Sequence, residues 1–315
     1  MNQDEINLPR IFRKIEEASS IVIFGHVNPD GDCVGSVLGL KAELNYLFPD
    51  KKVYGVGSRP SYIPDIIPEE DEVSEEIIRD SLAILVDLNN FGRVEDQRAR
   101  KAKDCVCFDH HILDYEPPFP VYHDDKAPSA TYVIYKAFKK KYNCISLEAA
   151  TCFYLGLVTD TDCFRLDSEP STLETASELV SLGVDYRSLY DGLYAQSSAE
   201  LKFRSYVYSH LSFYKKVTYC LVHKEDYRNL GLKDSEVGEK ADLLQRVDSH
   251  PLWVLFTEME DGHVRVEFRS NGHYDVQKVA KAFGGGGHLA ASGTSQPDFS
   301  KVNEILEAVN ELKEN

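Results

Sequence analysis

Basic residues are in short supply in this chain of 315 residues, where 35 Lys and Arg stand against 52 Asp and Glu for a formal net charge of −17. That deficit excludes the broad electrostatic attraction on which binding to long duplex nucleic acid or to an anionic membrane surface depends. It leaves room for a small anionic substrate, because a bound cation can dominate the local charge. No Cys-x-x-Cys pair occurs among the seven cysteines. Cys105 and Cys107 are one residue apart, so on a strand they face the same side, and neither has a zinc-motif context. An odd, scattered set argues for reduced thiols in a cytoplasm and against a disulfide framework. No apolar run approaches the ~18 residues of a membrane span. Met1-Asn2-Gln3-Asp4-Glu5 is acidic where a targeting leader would be basic, and a cytoplasmic, soluble protein is the expectation. A hydrophobic content of 43% is enough for ordinary globular cores, and the length suggests two domains of roughly 150 residues each.

What the chain does have is a loop, His26-Val27-Asn28-Pro29-Asp30-Gly31-Asp32, directly after the apolar run Ile21-Val22-Ile23-Phe24. The run is short, β-branched and aromatic, and reads as a buried strand. The loop carries one imidazole and two carboxylates beside Asn-Pro and Asp-Gly turn chemistry. It leaves the carboxyl end of a strand, where open α/β sheets keep their ligand sites. Imidazole nitrogen with carboxylate oxygen suits a divalent transition metal. Apolar residues from Val34 to Phe48 follow helical spacing, so the loop also opens a helix whose positive N-terminal dipole favours anions.

Two further apolar runs end in the same kind of residue. Leu82–Val86 is followed by Asp87, and Cys105-Val106-Cys107-Phe108 by Asp109-His110-His111. An isolated strand-end Asp is usually a cap or turn residue; three acidic or histidine clusters at strand ends in one half-chain call for a common explanation. A helix is expected over 6–18, a strand over Lys52–Gly57, a helix capped by Ser129, and a buried helix from Glu148 to Val158 that Thr159-Asp160-Thr161-Asp162 ends. Ser171-Thr172-Leu173-Glu174 reads as a capping box opening one more helix, closed by Gly183. Strand and helix signals alternate in this way for ~190 residues, which argues for a mostly parallel sheet covered by helices on both faces. The polar stretch Tyr190–Lys202 is expected to join this half to a smaller α/β unit, with strands near Thr218–His223, Trp253–Glu258 and His263–Arg269 and a final helix from Phe299 to Leu312. This gives domains at 1–190 and 211–315 with 191–210 between them.

Taken together, His26-x3-Asp30-x-Asp32, Asp87, Asp109-His110-His111 and Asp160 resemble the four motifs of the DHH phosphoesterase superfamily. Gly284-Gly285-Gly286-Gly287-His288-x3-Ser292-Gly293 resembles the glycine-rich motif of the DHH-associated domain. The superfamily includes inorganic pyrophosphatases, RecJ-type exonucleases and small nanoRNase/pAp phosphatases, and length and domain make-up bring this chain nearest to the last. The resemblance implies two divalent metal ions, usually manganese. One would be held by His26, Asp30 and Asp87, the other by Asp32, Asp87, His110 and Asp160, with Asp87 shared. It implies that Asp109 orients a histidine, that His111 faces the substrate phosphate as donor or proton source, and that Arg93 fits the family's arginine. Two cations roughly 3.5–4 Å apart acidify a water and hold it in line with phosphorus.

In the second domain the resemblance implies that Arg269, Ser270, Gly285, Gly286, Gly287 and His288 hold the rest of a nucleotide across a cleft. The implied substrates are short single-stranded oligonucleotides and 3′-phosphoadenosine 5′-phosphate, and a homodimer is compatible with the family. Cyclic or linear dinucleotides are the alternative, although the membrane-bound enzymes of that type carry sensor and transmembrane segments not seen here. Inorganic pyrophosphatase fits less well, because that branch uses a lysine- and arginine-rich C-terminal domain. A catalytically silent nucleotide-binding regulator sits badly with a full ligand set. The chain departs from the family at Asp162, where small nucleases often carry glycine; a carboxylate there would repel a phosphate unless turned away.

Overall fold

The computed structural model describes residues 3–113, 116–238, 240–245, 247–287 and 289–314. The chain divides into two compact units, Met1–Ala195 and Gln196–Asn315. In the first, the apolar runs are strands: β1 (Ser20–Phe24), β2 (Lys52–Val56), β3 (Leu82–Val86), β4 (Asp104–Asp109) and β5 (Val121–His123). All pair in parallel, in the order β2-β1-β3-β4-β5. β3 is buried at every residue, as a strand covered on both faces must be. The register sets Phe24 beside Leu85 and Val86 beside Phe108, so the carboxyl ends of β1, β3 and β4 open along one edge. Strand order reverses between β1 and β3, and such a switch point is where a doubly wound sheet binds its ligand.

Helices α1 (Gln3–Glu17), α2 (Gly31–Leu47), α3 (Glu75–Arg79), α4 (Ala130–Tyr142), α5 (Leu147–Asp160), α6 (Pro170–Ser181) and α7 (Tyr186–Leu193) complete this unit. Ile15, Leu38, Phe138 and Phe153 pack with Ile21, Ile23 and Ile84 on one side of the sheet. Ile78, Val94 and Phe119 pack with Val22, Phe24 and Leu85 on the other. α6 does not begin at a Ser171 capping box. It starts two residues earlier than that box would place it, with Pro170 in its first turn and Glu169 before it making no side-chain cap bond. Proline suits that place because its missing N–H would have no partner there anyway, and this leaves Ser171 inside the helix.

α2 is buried on nearly every face from Gly31 to Leu44, so a one-sided apolar stripe would not describe it. Its backbone meets that of α5. A Cβ on Gly35 would lie 2.5 Å from the Cys152 carbonyl oxygen, and one on Gly156 would lie 2.5 Å from Asp32 Oδ1. Gly35 lets the two backbones touch, and Gly156 leaves room for the side chains of Asp32 and Thr131, so that the first turn of α2 lies by the last turn of α5.

The second unit opens with α8 (Ser198–Ser209), capped by a Ser197–Glu200 box, with Phe203 and Val207 buried. Strands β6 (Ser212–Tyr214), β7 (Val217–Val222), β8 (Leu252–Glu258), β9 (Val264–Ser270), β10 (Gly286–Gly287) and β11 (Ala291–Gln296) form a mixed sheet in the order β10-β11-β9-β8-β7-β6. Only β7 and β8 pair in parallel. Of the remaining helices, α9 (Lys224–Arg228), α10 (Asp234–Val237), α11 (Val276–Ala282) and α12 (Val302–Asn310), the last two cover one face through Val276, Ile305 and Val309. Phe203 and Val207 of α8 cover the other beside Trp253 and Leu255. Among the described residues, no helix is long and apolar enough to cross a membrane.

The helix contact can be tested at Gly35. Alanine gains roughly 1 kcal/mol of helix propensity over glycine, but overpacking against an unyielding backbone costs about 1–3 kcal/mol. Gly35→Ala is therefore expected to lower the urea midpoint with the slope m unchanged. A raised midpoint would mean that the helices separate more easily than their contact implies.

Candidate metal centre

The loops that leave β1 and β3 are tied together just past the sheet. Val27 N donates to Arg93 O at 2.9 Å and Glu95 N to Gly25 O at 3.1 Å, with His26 and Val94 forming a β-bridge between them. His26 is thereby held inward and is buried. Asp87, the first residue after β3, has φ +59°, a left-handed conformation that Asp tolerates better than most residues. Its N–H still donates to Phe108 O at 3.1 Å, and its carboxylate is buried. Asp109 ends β4 and Asp160 ends α5.

These residues converge. Asp87 Oδ2 lies 3.1 Å from His26 Nε2, while Asp87 Oδ1 lies 3.4 Å from His110 Nε2 and 3.6 Å from His111 Nδ1. His110 Nε2 is also 3.3 Å from Asp160 Oδ2 and 3.8 Å from Asp32 Oδ2. One carboxylate thus turns its two oxygens toward two separate imidazoles. The other ring nitrogens are fixed by acceptors: His26 Nδ1 lies 2.9 Å from Val27 O and His110 Nδ1 lies 3.2 Å from Ala127 O. A carbonyl oxygen only accepts, so each Nδ1 carries the proton and each Nε2 points at carboxylates. A neutral ring in that pose opposes lone pair to lone pair. The arrangement is satisfied by a second proton or by a cation.

Asp32 is fully buried and anchored at the start of α4. Its Oδ2 accepts from Ala130 N at 2.6 Å, and its Oδ1 accepts from Thr131 N at 3.0 Å and Thr131 Oγ1 at 2.7 Å. Asp109 Oδ1 accepts from His111 Nδ1 at 2.8 Å. Asp87 Oδ1 and Asp109 Oδ2 are buried and have no hydrogen-bond partner among the described residues.

The electrostatics record the crowding. Burial works against protonation of His26, but its bonds to Asp87 and Cys33 prevail and push it up to about 11. Burial likewise opposes His110, and Asp87 and Asp32 raise it to about 10. Asp87, despite its burial, is held down to about 2 by the same two histidines. Burial first, and then the charge of Asp87, lifts Asp32 to about 7. Burial, followed by the charges of Asp32 and Asp87, lifts Asp160 to about 9. Without cations, this environment favours the charged imidazoles of His26 and His110 and opposes ionisation of Asp32 and Asp160. Divalent cations would let every one of these groups take its ligating form. A nitrogen and oxygen donor set with an unsatisfied buried carboxylate oxygen fits such ions.

The other candidate residues are placed differently. Asp30 is half exposed and 4.0 Å from His26 Nε2; its Oδ1 also caps α2, accepting from Asp32 N and Cys33 N at 3.0 Å each. Cys33 was missed by sequence reasoning. It is buried, its Sγ accepts from His26 N at 3.3 Å, and it groups with His26 and Asp87 as a set of ligand atoms within 4.8 Å of one another. Its signal was proximity alone, one residue past Asp32. Arg93 is exposed on the loop tied to Val27. Asp162 has φ +47°, a conformation that explains why glycine is at home there, and its carboxylate pairs with Arg165.

In the second unit, Arg269 pairs with Glu267 at 3.5 Å and Asp242 at 3.7 Å. Ser270 is buried, donating to Tyr274 O at 2.8 Å and accepting from Gly272 N at 3.3 Å. Gly285 and Gly287 press against the backbone of β11, where a Cβ would collide with Gly293 O and Ala291 O respectively, whereas Gly286 has open space. At the first two positions the glycines serve their own hairpin. His288 lies outside the described residues.

Residues 20–157 match the DHH family, N-terminal domain, and residues 215–315 match the DHHA1 domain. The bifunctional oligoribonuclease and PAP phosphatase NrnA of Mycoplasma genitalium is 31% identical, over 93% of both chains. The protein of the same name from Bacillus subtilis is 29% identical, over 94% of this chain and 95% of its own. An exopolyphosphatase-related protein from Bacteroides fragilis shares the fold with a TM-score of 0.88 at 22% identity, covering 96% of each chain.

The raised histidines and carboxyls make a pH test possible. In the cation-free protein, groups raised in the fold stabilise it below their unfolded values. That contribution is lost as pH rises through about 7 to 11 for Asp32, Asp160, His110 and His26. Asp87 acts in the opposite sense, and its contribution is lost only as pH falls through about 2. Cation binding must displace the retained protons and so tightens with pH. The gain in melting temperature on adding Mn²⁺ to chelator-treated protein is expected to be larger at about pH 8.5 than at about pH 6. An equal gain at both would mean that cations bind elsewhere.

Proposed function

The chain belongs to the DHH family, with a DHHA1 domain after the DHH domain, and on that premise we propose that it is a two-metal phosphoesterase hydrolysing short oligoribonucleotides and 3′-phosphoadenosine 5′-phosphate. The observation that carries this reading is Asp87, whose two carboxylate oxygens face His26 on one side and His110 on the other. In this reading His26, Asp30 and Asp87 hold one divalent cation, and Asp32, Asp87, His110 and Asp160 hold the second. The nitrogen and oxygen donors favour manganese. When bound, such a pair acidifies a water and offsets the charge of a phosphate.

The chain's own residues do the rest. Val27 O and Ala127 O fix the rings of His26 and His110, so that no tautomer change is needed on binding. Asp109 holds His111 by Nδ1, which leaves the opposite nitrogen of a partly exposed ring to meet a phosphate oxygen or a leaving group. The N-terminus of α2 adds positive dipole beside these groups. Arg93, also exposed, supplies a guanidinium for an anionic substrate. The second domain, through Arg269 and the glycine loop with His288, recognises the remainder of the nucleotide. An acidic chain of this charge is suited to short substrates, since long nucleic acid calls for a basic track.

The reading is tested with a dinucleotide, a short RNA, the bisphosphate and a cyclic dinucleotide, each with Mn²⁺. The dinucleotide and the bisphosphate are expected to be hydrolysed and the cyclic compound to lag. Turnover of the cyclic compound alone would redirect the assignment to cyclic-dinucleotide hydrolysis, and turnover of none would end the reading. Asp87→Asn should stay folded and lose more than about 100-fold in activity, because loss of a partner merely behind a ligand already costs ~10–100-fold. Near-wild-type activity in that variant would remove Asp87 from its shared place.

A further inference from the structure

Beyond the residues that surround the phosphate site, the first unit carries a column of tyrosines running from its core to its surface. Tyr154 of α5 is buried. Its ring meets Tyr190 of α7 edge-on, with centroids 6.4 Å apart at 81°. Tyr190 in turn stacks on Tyr194, with centroids 5.9 Å apart and planes 16° from parallel. Tyr194 is the C-cap residue of α7 and is 55% exposed. Its hydroxyl touches Cys163 Sγ. An exposed tyrosine ring normally sweeps several rotamers; this one is held by a stacked ring on one face and a thiol at its tip. The helix beneath is anchored as well, because Gly192 packs so closely on Pro64 that a Cβ there would lie 2.5 Å from the proline ring. The Pro64 turn is clamped by Arg59, which donates to Pro64 O, Ile67 O and Pro68 O at 2.8–2.9 Å.

The contact with Cys163 comes at a conformational cost. Asp162, Cys163 and Phe164 have φ of +47°, +57° and +63°, three successive non-glycine residues in the left-handed region. Each such residue is disfavoured, and runs of them persist only where the surroundings hold them. The run begins two residues after Asp160, whose carboxylate faces His110. Three residues of chain span at most about 11 Å, so the backbone of Cys163, whose thiol meets Tyr194, stays within that distance of Asp160.

We propose that Tyr194, backed by Tyr190 and pinned by Cys163, is a stacking platform for a nucleobase of the bound substrate. The inference rests on the phosphoesterase reading above and adds to it a base subsite within the first unit. A fixed aromatic face binds any base without reading its edge, and the ordering cost of the ring is met before the ligand arrives. The subsite accordingly takes all four bases and prefers purines, which offer the larger face.

The test compares ApA, UpU and the corresponding abasic dinucleotide, with Mn²⁺, on wild type, Tyr194→Ala, Tyr194→Leu and Tyr194→Phe. Removing a stacking ring typically costs about 5- to 150-fold per base. Tyr194→Ala and Tyr194→Leu should therefore raise KM for ApA by that factor, keep kcat within about threefold, narrow the gap between ApA and UpU, and leave the abasic compound unchanged. Tyr194→Phe keeps the face and should stay near wild type. Leucine retains apolar bulk, so a general packing defect would appear in Ala and spare Leu. Equal losses on ApA and the abasic compound, or no loss on ApA, would overturn the platform. Failure of wild type to cleave any of the three would strike the phosphoesterase reading instead. The platform would then be judged by equilibrium binding of a 2-aminopurine dinucleotide, whose affinity must still fall in Tyr194→Ala.

Discussion

The arrangement at the sheet edge depends on two helices touching backbone to backbone. Where Gly35 meets Cys152 and Gly156 leaves room for Asp32 Oδ1, α2 and α5 come closer than side chains would permit. That approach carries Asp32 from the start of one helix and Asp160 from the end of the other to His110. The strands contribute the remaining groups, because parallel register aligns the ends of β1, β3 and β4 and the loop tie past β1 and β3 turns His26 inward. Sheet geometry therefore places His26, Asp87 and His110, and a glycine contact places the two carboxylates that complete the cluster.

Electrostatically, the cluster makes sense only as a set. Asp32 takes two N–H groups and a hydroxyl from the start of α4, which makes its burial bearable. Asp87 is stabilised by both imidazoles, but its Oδ1 has no hydrogen-bond partner among the described residues. The fold has gathered carboxyl groups in a place where, without a cation, retained protons must offset their charge. In a protein whose charge is −17 overall, the buried His and Asp groups that could hold a cation lie, among the described residues, around Asp87 and His110.

Much of this was legible from the sequence because strand ends are legible. A short β-branched run followed by Asp or His marks both the strand and the residue that leaves its tip, and His26, Asp87 and His110 stand past such runs and converge. What lay beyond reach was decided in three dimensions. Asp30 caps α2 while standing near His26, and no spacing rule separates a capping carboxylate from a ligating one. Cys33 joins the buried group only because the first turn of α2 folds it back under His26. Ser171 looked like a cap until Pro170 took the first turn. The glycines at 285 and 287 leave room for β11, a neighbour that no glycine-loop pattern announces. Local patterns name residue types; which neighbour makes use of each type depends on the packing.

The left-handed run at Asp162, Cys163 and Phe164 bears on how this chain can vary over generations. Thr161 steadies the turn, its hydroxyl accepting from Phe164 N at 3.0 Å and its carbonyl from Arg165 N and Leu166 N at 2.9 Å. Valine, isoleucine or threonine at any of the three positions would meet a steep steric penalty, while glycine or asparagine would enter freely. Mutational drift in this stretch is therefore channelled by backbone geometry toward a narrow alphabet, independently of what the loop touches.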